Sequence, residues 1–412
     1  MKTVKLLAIA AFAACAAVGC TAGKPRPSSD FVRVSGEYLI EPSGDTLYIM
    51  GTNLGNWLNP EGYMFGFRRT NSPWMIDQLL REMVGPDETA AFWKAFKENY
   101  ITRADIDFIA STGANTIRVP FNYKLFTAED YMGLPDNTGE GFRLMDLLVD
   151  WCRGAGLYLI LDMHDCPGGQ TGDNIDDSFG YPWLFESPAA QEQFCSIWKS
   201  IAAHYRDEPV ILGYELMNEP IATYFDAEHF NPLLEPLCKK AVAAIREADP
   251  NHIVLLGGAQ WNSNFSCFSD TDFDAQLMYT CHRYGGPATG EAIGHYIEFK
   301  RKSARPMYMG EIGHNSMEWQ ADFVKVLKAN NIGYTFWPYK KIQDSCFAGY
   351  KAPEGWEEVV EFSEAPRGSY SEIREHRPAE ALVRSALSGL LENVRFENCV
   401  IQNDYIATLQ MK

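Results

Sequence analysis

The chain has 412 residues, of which 46% are hydrophobic and 22% are charged. This balance is typical of a globular protein with a full core, and it excludes a collagen-like or wholly disordered chain. The formal net charge of −18 repels phosphate, so we expect no nucleic-acid partner. Aromatic residues make up 13% of the chain, which is compatible with a neutral ligand that stacks on aromatic rings.

The N-terminus has the pattern of a secretory leader. A short apolar run follows two lysines, and it is shorter than the roughly 20 residues needed to span a bilayer. The run ends in AVGC at residues 17–20, which resembles a bacterial lipobox. That resemblance predicts a signal peptide over residues 1–19, lipidation of Cys20 and a flexible tether over residues 20–30. A plain signal peptide with a chance cysteine is the alternative.

The lipobox reading predicts where the protein is found. We expect an exported lipoprotein, periplasmic or at the outer membrane or cell surface, that contacts the membrane only through its lipid. The chain has 10 cysteines, of which Cys15 falls in the signal peptide and Cys20 is expected to carry the lipid. Because several of the others lie inside apolar segments, we expect most of them to be buried free thiols. Any disulfide pairing stays open.

From residue 31 onward, short apolar runs alternate with segments of helical periodicity. The runs are dense in apolar residues, as expected of parallel strands that are buried on both faces. Eight strands are predicted in this way, over residues 47–53, 115–120, 157–164, 211–218, 252–258, 277–282, 306–313 and 332–338.

This alternation favours an α/β fold, a single (β/α)8 TIM barrel over residues 31–412. A short N-terminal β hairpin is expected before the barrel, and long loops are expected at its C-terminal face. A doubly wound open sheet is the alternative, although no Gly-x-Gly-x-x-Gly motif follows the first strand.

Polar side chains stand where most of the predicted strands end. A parallel barrel presents its reactive groups at these C-terminal ends. The candidate site residues are Arg118, His164, Asn218, Glu219, His282, Tyr284, Glu311 and Trp337. Glu219 and Glu311 can face each other across the barrel mouth, and glycosidic bond cleavage needs one protonated and one ionised carboxyl group. Glu215, inside its strand, is expected to be a structural partner of Arg118.

These motifs resemble glycoside hydrolase family 5, the cellulase-like retaining β-glycosidases of clan A. The resemblance runs from GTNLGNWL to TFWPYKK, and NEP after the fourth strand is its most specific single part. It implies that Glu219 is the general acid/base and Glu311 the nucleophile.

The resemblance also implies supporting roles for the other six residues. Asn218 would bond a sugar 2-hydroxyl, and His164 another hydroxyl of the bound sugar. His282 and Tyr284 would donate towards the nucleophile, and Arg118 would add positive potential beneath it. Trp337 would offer a flat face to the sugar ring.

No cofactor and no metal are expected, because acid/base catalysis by two carboxylates needs neither a metal nor a nucleotide. A zinc site formed by His164, Cys166, Cys281 and His282 is the alternative. Its spacing fits no common zinc motif.

The substrate is predicted from two segments. Residues 92–123 and 164–180 resemble the branch that contains exo-β-1,3-glucanases and related β-glucosidases. This favours hydrolysis of β-glucosidic linkages by double displacement at chain ends. The long segments 54–114 and 340–378 would then close one end of the cleft. The candidate aromatic platforms are Trp57, Tyr63, Phe65, Tyr181, Trp183, Trp261 and Trp319.

Several alternatives stay open. The enzyme could be an endo-β-1,4-glucanase, could act on mannan, xyloglucan or a glycolipid, or could transfer the sugar to another sugar. The chain could also be a catalytically silent glycan-binding lipoprotein on the same barrel. In each case the expected partner is a β-linked oligo- or polysaccharide, and no obligate protein partner is implied.

Overall fold

The computed structural model of the protein describes residues 30–343 and 345–412. The predicted signal peptide (1–19), the lipidation site Cys20 and nearly all of the predicted tether lie outside the described residues. Within the part that is described, no helix combines the length and the apolar character that a membrane crossing requires.

Three short antiparallel strands precede the barrel, so the predicted hairpin is extended by one strand. Leu39 and Leu47 pack with Tyr308 and other apolar residues near the starts of the barrel strands. The small sheet therefore covers the N-terminal end of the barrel. Its strands are β1 (Arg33–Ser35), β2 (Tyr38–Ile40) and β3 (Thr46–Leu47).

Eight parallel strands form a closed barrel in which each strand pairs with its neighbours in the chain and the last pairs with the first. The (β/α)8 prediction is confirmed. The doubly wound alternative is wrong, because an open sheet would leave two unpaired edges. The strands are β4 (Met50–Asn53), β5 (Thr116–Asn122), β6 (Tyr158–Asp165), β7 (Ile211–Glu215), β8 (Ile253–Gly257), β9 (Leu277–Arg283), β10 (Met307–Ile312) and β11 (Gly333–Phe336).

The dense apolar runs of the sequence correspond to strands that are buried along their length. Every residue of β5, β7, β8, β10 and β11 is buried. The first barrel strand begins at Met50 and not at Leu47, because Leu47 pairs with Leu39 in the N-terminal sheet. The fourth ends at Glu215, so Asn218 and Glu219 lie in the loop beyond it.

Helices surround the barrel, and several begin at a serine cap. The side chains of Ser72, Ser187 and Ser316 each accept a backbone N–H of the helix that follows, and Pro188 takes the first helical position. The helices are α1 (Pro73–Val84), α2 (Pro86–Tyr100), α3 (Arg103–Ser111), α4 (Glu140–Ala155), α5 (Pro188–Tyr205), α6 (Ala227–Arg246), α7 (Gly294–Ser303), α8 (Met317–Ala329), α9 (Trp356–Glu364), α10 (Tyr370–His376), α11 (Glu380–Asn393) and α12 (Asn403–Thr408).

The two long insertions carry structure of their own. The segment between β4 and β5 contains α1–α3, and its helices α1 and α2 pack against α11 from the C-terminal part of the chain. The segment after β11 adds β12 (Lys340–Ile342) and β13 (Ala348–Tyr350), which pair with β14 (Val400–Ile401). Beyond β14 the chain forms α12, which packs against α8.

Candidate active site

A cavity of about 400 Å³ opens at the C-terminal ends of the barrel strands. Six of the eight predicted site residues line it, and Arg118 and His282 lie buried at its floor. This cavity, the catalytic pocket below, is lined by Glu61, Tyr63, His164, Asn174, Ile175, Asn218, Glu219, Trp261, Tyr284, Glu311, His314 and Trp337.

The two predicted carboxylates, Glu219 and Glu311, both lie close to the imidazole of His282 in this pocket. His282 Nδ1 lies 2.8 Å from Glu219 Oε1 and 3.5 Å from Glu311 Oε2. One oxygen of each carboxylate and a nitrogen of His282 all lie within 4.8 Å of one another. Residues that are 92 positions apart in the chain are therefore brought to opposite sides of a single small space.

Backbone geometry explains how Glu311 reaches this position. The pairing of β10 with β9 shifts register between Met309 and Glu311, and such an irregularity re-aims the side chain that follows it. Gly310 lies at the shift. A Cβ there would lie 2.4 Å from Thr280 Oγ1 and 3.0 Å from His282 Nε2, so only glycine permits this close approach.

Glu219 is aimed by a turn and not by a strand. It has a φ of +46°, in the left-handed region that non-glycine residues rarely adopt. Its carbonyl oxygen accepts a hydrogen bond of 2.8 Å from Thr171 Oγ1, which holds the turn to the loop after β6. Unusual backbone geometry of this kind clusters at functional sites.

Positive charge and hydrogen bonds surround Glu311. Arg118 Nη1 donates to its Oε1 at 2.7 Å, and the Tyr284 hydroxyl donates to its Oε2. Burial alone would raise the pKa of Glu311, but the charges of His282 and Arg118 and the Tyr284 hydrogen bond outweigh it and lower that pKa to about 2. Glu311 is therefore ionised at neutral pH.

Arg118 is fully buried beneath the pocket, where its guanidinium has several partners. It donates to Glu215 through Nε at 3.2 Å and Nη2 at 2.8 Å, which confirms Glu215 as its structural partner. Nη2 also lies 3.0 Å from Asp162 Oδ2 and donates to Asn218 Oδ1 at 2.7 Å. A buried cation needs this degree of pairing, and it fixes the floor of the pocket.

The comparisons with known proteins agree with this geometry. The cellulase model of glycosyl hydrolase family 5 matches residues 81–342, which is more than half of the chain. The protein belongs to glycosyl hydrolase family 5. The family consists of glycoside hydrolases, which favours hydrolysis over the alternative of a catalytically silent glycan-binding lipoprotein.

Curated relatives of this family 5 hydrolase differ in name. A β-xylosidase of Phanerodontia chrysosporium is 34% identical over 68% of this chain and 57% of its own length. Endoglucanase C of Acetivibrio thermocellus is 26% identical over 65% of this chain and 92% of its own length. A probable glucan 1,3-β-glucosidase A of Aspergillus niger is 28% identical over 42% of this chain and 41% of its own length. The chain thus spans little more than half of the first of these relatives.

The position of His282 corrects one prediction about this family 5 site. It was expected to serve Glu311 together with Tyr284, but its nearer partner is Glu219. Burial would lower the pKa of His282, and the neighbouring Glu311 and Glu219 outweigh burial and raise it. The imidazole therefore joins the two carboxylates and does not belong to one of them.

A turn after β8, with unusual backbone geometry, also holds His282 in place. Asn262 Nδ2 lies 3.1 Å from His282 Nε2. Gln260, Trp261 and Asn262 all have positive φ angles, between +50° and +61°. Three successive left-handed non-glycine residues cost roughly 1–2 kcal/mol each, so the surrounding packing must hold this turn in place. The turn delivers Trp261 to the pocket wall and Asn262 to His282.

His164 and Trp337 form one stacked wall of the pocket. Their rings are nearly parallel, with centroids 5.3 Å apart, so His164 covers one face of Trp337. His164 Nδ1 lies 2.7 Å from Asp162 Oδ2. Burial would lower the pKa of His164, but Asp162 and Glu61 outweigh it and raise that pKa to about 10. Trp337 Nε1 donates to the Tyr63 hydroxyl at 2.6 Å.

Sequence reasoning missed Glu61, the third carboxyl group of the pocket. It is 4% exposed, and its Oε1 has no hydrogen-bond partner among the described residues. Burial raises its pKa, opposed by His164, whose Nε2 lies 3.7 Å away. Glu61 lies in the long insertion after β4, where no strand end marks it. The one available signal was its place in the loop that follows the first strand.

The predicted aromatic platforms divide into three groups. Tyr63 and Trp261 line the pocket as expected. Trp57 and Phe65 are core residues, so the prediction is wrong for them: Trp57 is 1% exposed and its Nε1 donates to the Lys97 carbonyl. The pocket lining does not include the other three, which are Tyr181, Trp183 and Trp319.

The zinc alternative does not match the geometry. Among the described residues, the cluster with metal-binding spacing is Glu219, His282 and Glu311, and it contains no cysteine. Cys166 and Cys281 are buried, with their sulfurs against the carbonyls of Met163 and Tyr308. The expectation of buried free thiols is confirmed, because the eight cysteines in the described part of the chain are unbridged and six of them are buried.

Proposed function

We propose that this family 5 hydrolase is a retaining enzyme that releases glucose from the ends of β-1,3-glucans and from small β-glucosides. Glu311 is the nucleophile and Glu219 the general acid/base. The observation that carries the proposal is the pairing of an ionised, charge-stabilised Glu311 with Glu219 across His282.

The spacing of the two carboxylates supports retention. Retaining glycosidases hold their carboxyl groups about 5–5.5 Å apart, whereas inverting enzymes need about 6.5–9.5 Å to admit a water molecule. Oxygens of Glu219 and Glu311 lie within 4.8 Å of each other. This separation leaves room for a direct attack on the sugar and too little for an inverting water.

The reaction proceeds in two displacements. The Glu311 carboxylate attacks the anomeric carbon while Glu219 gives its proton to the leaving oxygen, so the glycosidic bond breaks and a glycosyl ester forms. Glu219, now ionised, takes a proton from water as that water attacks the anomeric carbon. The ester bond breaks, the sugar leaves with its original configuration, and both carboxyl groups return to their starting states.

The supporting residues act on charge and orientation. Arg118 and Tyr284 hold Glu311 ionised and aimed through hydrogen bonds to its two oxygens. Asn218 is fixed by Arg118, which leaves its amide nitrogen 3.3 Å from His164 Nε2 at the pocket surface. Asn218 would bond the sugar 2-hydroxyl, and His164 a neighbouring hydroxyl.

The shape of the pocket supports attack at chain ends. Asn174 and Ile175 form one wall, and Asn59 Nδ2 donates to the Ile175 carbonyl at 3.2 Å, which fastens that wall to the insertion after β4. Glu61 lies on the same insertion, with a buried oxygen that has no hydrogen-bond partner among the described residues. A buried acceptor of this kind fits the hydroxyl groups of a terminal sugar.

A second candidate substrate is a β-xyloside. The match at 34% identity to a β-xylosidase favours it, because a xylose unit would use the same carboxylate pair. The match to endoglucanase C favours internal cleavage of a β-1,4-glucan instead. All of these candidate substrates would be cleaved by the same mechanism. Which of them is cleaved depends on which sugar units the walls of the pocket accept.

The deciding experiment is product analysis. The chain from residue 21 onward, which keeps every described residue, is incubated with β-1,3-glucan, β-1,4-glucan, mannan, xylan, xyloglucan and aryl β-glucosides and β-xylosides. Glucose as the sole early product from β-1,3-glucan, with the β-anomer seen first by NMR, supports the proposal. A ladder of oligosaccharides, or a preference for β-xylosides, would contradict the proposed substrate. An α-anomer as the first product would contradict the retaining mechanism.

We also propose that the protein is exported and anchored through lipid on Cys20. The AVGC sequence at residues 17–20 supports this. Metabolic labelling with a radioactive fatty acid tests it: label is expected in the full-length chain and not in Cys20→Ser. An unlabelled full-length chain in the cytoplasm would contradict the proposal.

A further inference from the structure

A second cavity lies beside the catalytic pocket. It has a volume of about 370 Å³, within the range of about 300–1,000 Å³ that is usual for ligand sites. It lies between the start of α1, the loop after β6 and the loop after β7. We call the side chains of Trp74, Met75, Phe179 and Tyr224, which line it, the aromatic cup.

The aromatic cup concentrates exposed apolar surface. Ten large apolar side chains are exposed among the described residues, and four of these ten form the cup. Phe179 is 80% exposed, Tyr224 63% and Trp74 45%. Single exposed apolar residues are ordinary, but a cluster of them around a cavity marks a binding surface.

The cup is built rigidly. Phe179 has a φ of +56°, an unfavourable conformation for an aromatic residue, and it projects its ring edge-to-face against Trp74 with centroids 5.7 Å apart. Asp177 Oδ1 accepts the Trp74 backbone N–H at 2.9 Å and so ties the loop to α1. The Tyr224 hydroxyl donates to Asp173, which fixes the third ring.

The polar groups between these rings indicate the chemistry of the ligand. Asp173, Asp176, Asp177 and Asn174 supply hydrogen-bond acceptors, and Arg69 is the one cation of the lining. The acidic excess repels anions such as phosphate groups. Flat apolar rings interleaved with acceptors suit a neutral molecule that has both apolar faces and hydroxyl groups, which describes a sugar ring.

The cup lies next to the catalytic pocket. Asn174 lines both cavities, so only the loop segment around it separates them. We propose that the aromatic cup binds a sugar unit of the glycan whose terminal unit occupies the catalytic pocket. The inference rests on the proposed function, because it assigns the cup to the same substrate. It makes the cup a determinant of preference for long over short substrates.

The test compares substrates that can and cannot reach the cup. Trp74→Ala and Phe179→Ala are combined, and Tyr38→Ala, an exposed aromatic at the opposite end of the barrel, is the matched control. For a β-1,3-linked glucohexaose, kcat/KM is expected to fall about 10-fold in the double variant. For 4-nitrophenyl β-glucoside it is expected to change less than about 2-fold. An equal loss on both substrates, or no loss on either, would overturn the proposal.

Binding is measured separately from hydrolysis. Glu311→Gln protein is run through native gels that contain β-1,3-glucan, β-1,4-glucan or xylan, with and without the cup substitutions. Retardation that the cup substitutions abolish and Tyr38→Ala preserves supports the cup even if no β-glucoside is hydrolysed, so the two proposals fail separately. Unchanged retardation by every glycan would overturn it. Loss of a dimer in sedimentation of the cup variant, with no glycan effect, would assign the surface to a second copy of the chain.

Discussion

The two ends of the barrel use the same eight strands for opposite purposes. At the N-terminal end, Leu39, Leu47 and Tyr308 belong to an apolar cluster that the small sheet covers. Towards the C-terminal end, the barrel strands carry Arg118 and Glu311, which are paired ions. Apolar burial at the first end stabilises the fold, whereas the buried ions at the second cost desolvation and are retained for chemistry. Substitutions at the two ends should therefore separate stability from activity.

The largest effect is expected from Glu311→Gln. Loss of the nucleophile should lower kcat on an aryl β-glucoside by about 10⁴-fold, because the amide that replaces it cannot form the glycosyl ester. The thermal midpoint should fall, since the neutral amide keeps the shape of the side chain but loses the charge that pairs with Arg118. Glu318→Gln on the exposed face of α8 is the matched control and should leave kcat unchanged. If the Glu311→Gln enzyme kept a tenth of its activity, the assignment of Glu311 as the nucleophile would be contradicted.

Arg118→Met should damage both activity and stability. It leaves Asp162, Glu215 and Glu311 as buried carboxyl groups without their cation. We expect the free energy of unfolding to fall by about 3–5 kcal/mol, measured by urea denaturation. The control is Arg143→Met, whose ion pair with Glu140 is half exposed at the arginine and should cost less than about 1 kcal/mol. Equal effects from the two substitutions would contradict a structural role for the buried network.

Leu39→Ala tests the other end of the barrel. Leu39 is 4% exposed, and its truncation should cost about 2–5 kcal/mol of unfolding free energy. The kcat/KM of the folded enzyme should stay within about 2-fold of the wild-type value, because the pocket lies at the opposite end. Leu147→Ala, at a residue that is 40% exposed on α4, should change neither quantity appreciably. A selective loss of kcat/KM in Leu39→Ala would mean that the two ends are coupled.

The smallest expected effect is a change in pH dependence. The pKa of Glu311, about 2, lies below its ordinary value of 4.5, so its ionisation stabilises the fold above about pH 4.5 and this contribution is lost as pH falls towards 2. Tyr284→Phe removes one hydrogen bond to the ionised form and should raise that pKa. The acid limb of kcat/KM should then move to higher pH, while Tyr370→Phe on the surface should leave it in place. A limb that moves to lower pH would contradict the assignment.

The barrel was predictable because a local property encodes it. Parallel strands buried on both faces need dense apolar runs, and those runs stand at the right intervals in the chain. The same logic placed the candidate site, since Glu311 falls where such a run stops and Glu219 falls shortly beyond one. Trp57 and Phe65 were misassigned because an aromatic residue after a strand can turn either into the core or towards a ligand, and only the packing decides.

The sequence alone was sufficient for the fold class, the pair Glu219 and Glu311, and the structural role of Glu215, because each depends on residue type within a strand or shortly after it. The tertiary structure decided the rest. It placed His282 nearer to Glu219 than to Glu311, brought Glu61 from an insertion into the pocket, and gathered three loops into the aromatic cup. These features depend on loop conformation and on distances between segments far apart in the chain, and no periodic pattern of apolar residues records them.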